Sequence, residues 1–341
     1  MLWDNLYLAG VGVHLPEEVE TAEQAIADGR YTRERFVLND YRAVRIAPPG
    51  QTAPMLATIA ARQAIARSGV SPDRFSVVVH TSQNHQGLDF WPAATFIQRE
   101  TIGGRAPALE IGQLCNGLLV GLEIVGGYLK SRPGGGAALL TGADVWRMPY
   151  IDRWTTHPQS VYGDGAAAVV LSTDSGFARV RATYSFGDPS LEPVARMGRP
   201  WADAPFADGK TLYFQEILEG VDMDETVEKV SAGVRRSMES VLDETKLRLS
   251  DIRFVLHGQL PESIAEFGIY QLLGVERKST TFDWGKDYGL VSTAGMILGL
   301  DHLIAERNPR PGDLVLLLGS AAGYSWTTVL LEFIDTPHWT V

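Results

Sequence analysis

Residues 6–13 alternate apolar side chains with glycine and predict a strand, stopped at Leu15-Pro16 because proline cannot donate to a ladder. Residues 21–27 predict a short helix with Thr21 as its cap and Glu23 in its first turn. Residues 28–50 are rich in charge, tyrosine and turn formers, and end on Pro48-Pro49-Gly50. They predict a long surface excursion of the kind that carries binding function. A helix follows over 54–68, with Met55, Ile59, Ala60 and Ile65 on one face and Gly69 ending it. Residues 75–80 form a β-branched run suited to a buried strand, 91–100 read as a helix, and 106–111 read as a further strand. An apolar helix is predicted over 118–129 and stops at Arg132-Pro133-Gly134-Gly135-Gly136. Buried strands are predicted over 137–141 and over the small-residue run ending at Leu171, with a polar loop holding Arg147, Arg153 and His157 between them.

The second half echoes the first. After a weakly patterned stretch, 172–222, comes a long amphipathic helix over 225–247, with Val227, Val230, Val234, Met238, Val241 and Leu242 inward. Ser250-Asp251-Ile252-Arg253-Phe254-Val255-Leu256-His257 then parallels the segment 71–80: a short acidic turn, then a strand ending in histidine. A small-residue helix over 290–303 stands where the 118–129 helix stands earlier, and strands over 313–319 and 327–333 close the series. Two halves of one α/β order, 1–172 and 173–341, are expected to form two related lobes rather than independent domains.

Composition narrows the function. Hydrophobic content of 45% supports large cores, and 341 residues suit two units at roughly 150 residues each. The net charge of −11 gives no electrostatic reason to bind nucleic acid or an anionic membrane. A single cysteine excludes an internal disulfide and fits a reducing, cytoplasmic setting. Seven histidines without an HExxH pattern or a close pair give no reason to expect a metal, and no signal peptide or membrane span is expected.

That cysteine, Cys115, lies in Gln-Leu-Cys-Asn-Gly, where the 106–111 strand turns into the 118–129 helix. Free N–H groups and the helix dipole at such a junction favour a thiolate, which makes Cys115 a candidate nucleophile. A buried, inert thiol is the alternative.

The whole chain resembles the ketoacyl-acyl-carrier-protein synthase III group of the thiolase superfamily. The resemblance rests on Gln-Leu-Cys115-Asn-Gly, Asp152-Arg153-Trp154-Thr155, Tyr162-Gly163-Asp164-Gly165-Ala166, Phe254-Val255-Leu256-His257 and Ser320-Ala321-Ala322-Gly323-Tyr324-Ser325-Trp326, which stand in family order. It implies a thiolase-like five-layered αβαβα fold with two pseudo-duplicated halves, a homodimer, and an acyl-thioester on Cys115. It further implies that His257 is the base or hydrogen-bond donor, and that the main-chain N–H groups of Cys115 and Ala322 form the oxyanion hole. The donor would be an acyl-carrier protein or an acyl-coenzyme A, with no permanently bound cofactor, and the acceptor a small molecule or a carrier-bound group.

Three departures sharpen this reading. Ala322 stands where the family has glycine, a change a backbone donor survives unless the site demands positive φ. Leu290, in Gly289-Leu290-Val291-Ser292, replaces the asparagine that helps hold a malonyl carbonyl during decarboxylation. Leucine donates no hydrogen bond, and losing an oxyanion donor costs roughly a hundredfold to a thousandfold in rate. Arg153 matches the arginine of the coenzyme A mouth, but the tryptophan that would face it is missing from 39–45, where Tyr41 is the available aromatic. The missing asparagine leans toward acyl transfer, and Gln113-Leu114-Cys115-Asn116-Gly117 resembles the branch of the family found in antibiotic pathways, which implies a place in polyketide or antibiotic biosynthesis. A decarboxylating synthase and a silent partner subunit are the alternatives. Gln83, Asn84, His85 and Ser292 are further polar candidates for the pocket.

Overall fold

The frame that places Cys115 is, among the described residues, a set of eleven strands. The computed structural model describes residues 1–196, 199, 201–203, 209–214 and 221–337. In the first half lie β1 (Tyr7–His14), β2 (Glu18–Thr21), β3 (Ala43–Ile46), β4 (Phe75–Thr81), β5 (Ala108–Ile111), β6 (Ala137–Asp144) and β7 (Gly165–Ser172). In the second lie β8 (Ala178–Gly187), β9 (Phe254–His257), β10 (Leu314–Ala321) and β11 (Ser325–Phe333). The helices are α1 (Ala22–Ala27), α2 (Arg33–Asn39), α3 (Ala53–Ser68), α4 (Ala93–Glu100), α5 (Gly117–Lys130), α6 (Glu192–Arg196), α7 (Met223–Thr245), α8 (Glu262–Ala265), α9 (Phe282–Gly285) and α10 (Gly295–Arg307).

The hydrogen-bonded order β5-β4-β6-β7-β1-β8-β11-β10-β9 contains two half-sheets joined where β1 meets β8 through two residue pairs, Tyr7–Arg179 and Leu8–Ala178. Within each half the pairing repeats. β4 runs parallel to β6, β6 antiparallel to β7, and β7 antiparallel to β1. β9 runs parallel to β10, β10 antiparallel to β11, and β11 antiparallel to β8. Helices α5 and α10 each touch strands of both half-sheets, α3 packs on β1, β6 and β7, and α7 packs on β8, β10 and β11. Helix, sheet, helix pair, sheet, helix is the αβαβα layering.

Close approach explains the composition of the outer layer. α3 presents Ala57, Ala60, Ala61 and Ala64, all buried, to β1. A Cβ on Gly10 would meet the Ala64 carbonyl oxygen at 2.1 Å, and one on Gly12 would meet that of Ala60 at 2.1 Å. The small residues on both sides let backbone touch backbone. The inward face of α3 is thus its alanine face, whereas Met55 and Ile59, expected inside, are exposed. On α7 the inward residues Met238, Val241 and Leu242 are buried as the pattern predicts, but Val227 is exposed.

Two expectations fail at larger scale. Residues 28–50 are an ordered subassembly rather than a surface excursion: α2 and β3 lie there, β3 pairs with β2, and Tyr31, Tyr41 and Val44 form a small core with Trp154. The aromatic residues that made the segment look loop-like are its core. The weakly patterned stretch contains β8, a strand at the centre of the sheet order whose alternation of buried and half-exposed residues is legible in Ala-Arg-Val-Arg-Ala. Among the described residues no helix is long and apolar enough to cross a membrane.

Candidate active site

β5 delivers the chain to a single 3₁₀ turn, Leu114–Asn116, and α5 starts immediately after it at Gly117. Leu114 sits at φ 48°, a left-handed conformation that costs a leucine free energy and that needs support from its surroundings. The support is explicit. Gln113 Nε2 donates to Ser325 Oγ at 2.9 Å, and Asn116 Nδ2 donates to Ser325 Oγ at 3.1 Å and Thr327 Oγ1 at 2.9 Å. Gly319 of β10 comes so close that a Cβ there would lie 2.4 Å from Asn116 Oδ1. These contacts tie the cysteine turn to the β10–β11 hairpin, whose connecting turn holds Ala322.

Cys115 opens into a cavity of about 450 Å³, together with His257, Leu290, Ser292, Ala322, Gln83 and Asn84. Its thiol donates to Gln83 Oε1 at 3.4 Å, and the same oxygen accepts from Ser292 Oγ at 2.6 Å. Burial pushes the Cys115 thiol up to about 11, and the neighbouring Asp144 carboxyl pushes in the same direction. Both influences run against the thiolate that the helix N-terminus would favour. The Asp144 carboxyl is itself buried at the end of β6 and pushed up to about 7 by desolvation. Its Oδ1 accepts from the N–H of Gln83 at 2.8 Å and of Asn84 at 2.7 Å.

His257 ends β9 as the pattern predicts and lines the cavity, but no hydrogen bond joins it to Cys115 among the described residues. Nδ1 is 2.9 Å from the Gly258 carbonyl oxygen, so Nδ1 carries the proton and Nε2 is the acceptor, facing the Tyr270 hydroxyl at 3.3 Å. Burial, with a contribution from Arg277, holds the imidazole down to about 4, so it is neutral at physiological pH. The partner His80, at the end of β4, is bound to Thr141 Oγ1 and Gln86 Oε1 and does not line the cavity.

Ala322 lies in the turn after β10. The positive φ angles there belong to Gly323 and Tyr324, not to Ala322, and no acceptor takes the Ala322 N–H among the described residues. The alanine thus leaves its main-chain donor intact. Arg153 does not line this cavity. Its guanidinium faces inward, bonded to the carbonyl oxygens of Arg45, Tyr162 and Trp146 and paired with the buried Asp164 carboxylate at 3.2 Å. Tyr41 is no mouth residue either: it is buried, with its hydroxyl donating to the Gln259 carbonyl at 2.7 Å. His85 is exposed beside Asp89, outside the cavity.

The remaining wall is aromatic. Trp146 stacks on Tyr162 at 4.3 Å, and His157 meets Tyr162 and Phe214 edge-on. His157 was visible in the sequence only as part of a polar loop. Its Nδ1 accepts the N–H groups of Gln159 and Ser160, which fixes the proton on Nε2, and burial holds the ring down to about 4. Asp144, which the sequence pattern places at the start of that polar loop, instead closes β6. Among the described residues no group of three or more histidine, cysteine or acidic side chains is placed to hold a metal.

Layering, duplicated halves and a cysteine at the head of a central helix define a thiolase-like enzyme. The family descriptions that match are 3-oxoacyl-[acyl-carrier-protein (ACP)] synthase III over residues 109–186 and its C-terminal part over 242–333. The solved structure of ChlB3, described as an acyltransferase, superposes with a TM-score of 0.91 at 30% identity, covering 99% of this chain and all of that one. The acetoacetyl CoA synthase NphT7 of Streptomyces sp. strain CL190 is 28% identical over 96% of this chain and 98% of its own. The β-ketoacyl-[acyl-carrier-protein] synthase III of Wolbachia pipientis wMel is 25% identical over 96% and 99%. The chain belongs to the 3-oxoacyl-[acyl-carrier-protein] synthase III family of thiolase-like transferases.

Proposed function

We propose that this protein is an acyltransferase of polyketide or antibiotic biosynthesis, which takes an acyl group from a carrier-protein or coenzyme A thioester onto Cys115 and passes it to an acceptor without decarboxylation. The observation that carries the reading is Leu290. It lines the cavity where the family's asparagine would donate a hydrogen bond, and it leaves an enolate without that donor. Plain acyl exchange forms a tetrahedral oxyanion instead, for which the N–H groups of Cys115 and Ala322 suffice. Neutral His257, with Nε2 unprotonated, serves as base toward the acceptor once Tyr270 gives way.

Carrier-protein delivery is the favoured donor mode, because the guanidinium of Arg153 is committed to Asp164 rather than free to stack on an adenine. A homodimer accompanies the reading. β5 is an edge strand with Leu109 exposed, and Leu88 and Phe90 are exposed on the loop before α4, which supports a second copy along that edge. The test is intact mass after incubation with a panel of acyl-carrier and acyl-coenzyme A donors. The wild-type chain gains one acyl mass and Cys115→Ala gains none; no adduct with any donor, or an adduct on Cys115→Ala, defeats the reading.

A further inference from the structure

The aromatic wall of the cavity carries hydrogen-bond donors that nothing in the protein takes up. Tyr162 is 3% exposed and lines the cavity, and among the described residues its hydroxyl has no hydrogen-bond partner. The unpaired hydroxyl of Tyr288 is sealed in the core; that of Tyr162 is not, and the space it opens on is the cavity. Burial and the nearby Cys115 hold this phenol above the ordinary tyrosine range, so at working pH it is a protonated donor. His157 supplies a second donor. Its ring meets Tyr162 edge-on, and its Nδ1 is taken by the N–H groups of Gln159 and Ser160. The proton on Nε2 has no oxygen or nitrogen acceptor among the described residues.

The backbone sets this wall beside the nucleophile. Tyr162 and Leu290 form a bridge, in which the Gly163 N–H donates to the Leu290 carbonyl at 3.1 Å and the Leu290 N–H to the Val161 carbonyl at 2.8 Å. The Leu290 side chain packs on the cluster of Trp146, Ile151 and Tyr162, and a leucine offers the phenol neither donor nor acceptor. Two residues further on, Ser292 shares Gln83 Oε1 with the Cys115 thiol. The stack on Trp146 at 4.3 Å holds the Tyr162 ring in place. Leu260, Ile264, Ile269 and Met296, elsewhere in the lining, are apolar. Buried donors without acceptors are costly, and an oxygen on a bound group removes that cost.

We propose that the acyl group carried on Cys115 bears a keto or hydroxyl oxygen, and that Tyr162, with His157 beside it, selects this group by donating hydrogen bonds to that oxygen. A plain alkyl or aryl group leaves both donors unpaired, and a site built to hydrogen-bond a substrate oxygen discriminates strongly against an analogue that lacks it. The inference rests on the acyl-Cys115 reading, so its test follows acylation by itself, with no acceptor present. N-acetylcysteamine thioesters deliver the probes, which removes any need for a carrier protein or coenzyme A. Butyryl is paired with 3-oxobutyryl, and benzoyl with 2-, 3- and 4-hydroxybenzoyl. The Cys115 sulfur takes the acyl carbon, its proton ends on the departing N-acetylcysteamine sulfur, and intact mass gives the rate for wild type and Tyr162→Phe.

The wild type is expected to react with at least one oxygenated analogue about tenfold or more faster than with its plain partner, and Tyr162→Phe to lower that ratio at least about tenfold. Equal wild-type rates within every pair overturn the inference, whether or not Tyr162→Phe folds. A ratio that survives in Tyr162→Phe overturns it as well. So does an equal slowing of both members of a pair, because the phenol then acts on the thioester carbonyl common to both. No adduct from any probe defeats the acyl-Cys115 reading and the inference with it, whereas adducts formed without preference defeat the inference alone.

Discussion

The turn before α5 and the turn before α10 occupy matching places in the two halves. Leu114–Asn116 and Ser292–Ala294 are both single 3₁₀ turns, each opening on a residue at positive φ, 48° for Leu114 and 31° for Ser292, and each followed at once by a central helix beginning with glycine. The residue after the strained one is Cys115 in the first turn and Thr293 in the second. Cys115 reaches the cavity. Thr293 is fully buried, and its Oγ1 lies so close to β6 that a Cβ on Gly142 would sit 2.5 Å from it. The strand ends diverge in the same way: His80 is locked between Thr141 and Gln86, while His257 lines the cavity. One duplicated frame thus brings a cysteine from one half and a histidine from the other to the same cavity, and each half has filled its unused position with buried structure.

That comparison can be broken in order of effect. The double variant Cys115→Ala/Thr293→Cys restores a thiol at the equivalent position, yet it is expected to show no acyl adduct and no alkylation in the folded state, because position 293 has no exposed surface. An adduct on position 293 would show that the two turns are chemically equivalent. Next, His257→Ala is expected to slow transfer to the acceptor by roughly a hundredfold to ten-thousandfold. Acylation of Cys115 should change far less, and the two rates separate in single-turnover assays. Equal loss in both steps would place His257 on the acylation path and remove the division of labour.

The smallest effect is on stability. His257 and His157 are both held to about 4 from an ordinary 6.5, so between these values the unfolded chain binds protons that the folded chain does not. Their contribution is present above pH 6.5 and is lost as pH falls toward 4. Asp144 works in the opposite sense: its carboxyl is raised to about 7 from 3.8, so ionising it costs stability as pH rises through 7. Melting curves should show a decline of several degrees from pH 6.5 to 4.5, less steep in His257→Gln, and a higher Tm for Asp144→Asn than for wild type at pH 8. An unchanged Tm for Asp144→Asn would mean that the carboxyl ionises there without penalty.

How far the sequence revealed this is itself a matter of period and distance. Strands and helices with one dominant period, β4, β7, α5 and α10, were legible within a few residues, as was the turn that bears Cys115. Met55 and Ile59 misled because hydrophobicity marks what can be buried, while α3 buries its smallest residues to approach β1. Residues 28–50 misled because the partner of their tyrosines, Trp154, lies more than a hundred positions away. Cys115 and His257 were read from their strand ends and turns. Asp144 was not, since its place beside the cavity shows only when the N–H groups of Gln83 and Asn84, some sixty positions away, converge on it.

The central claim is transfer without decarboxylation, and it is tested most directly on enzyme already carrying an acyl group at Cys115. Malonyl-carrier protein labelled in its free carboxyl is added, and released carbon dioxide is measured beside the acyl mass remaining on the enzyme, for wild type and for Leu290→Asn. The account predicts no carbon dioxide from wild type, an acyl group that leaves only for a hydroxyl, amine or thiol acceptor, and measurable release once asparagine replaces Leu290. Carbon dioxide evolved by wild type in step with loss of its acyl group would contradict it.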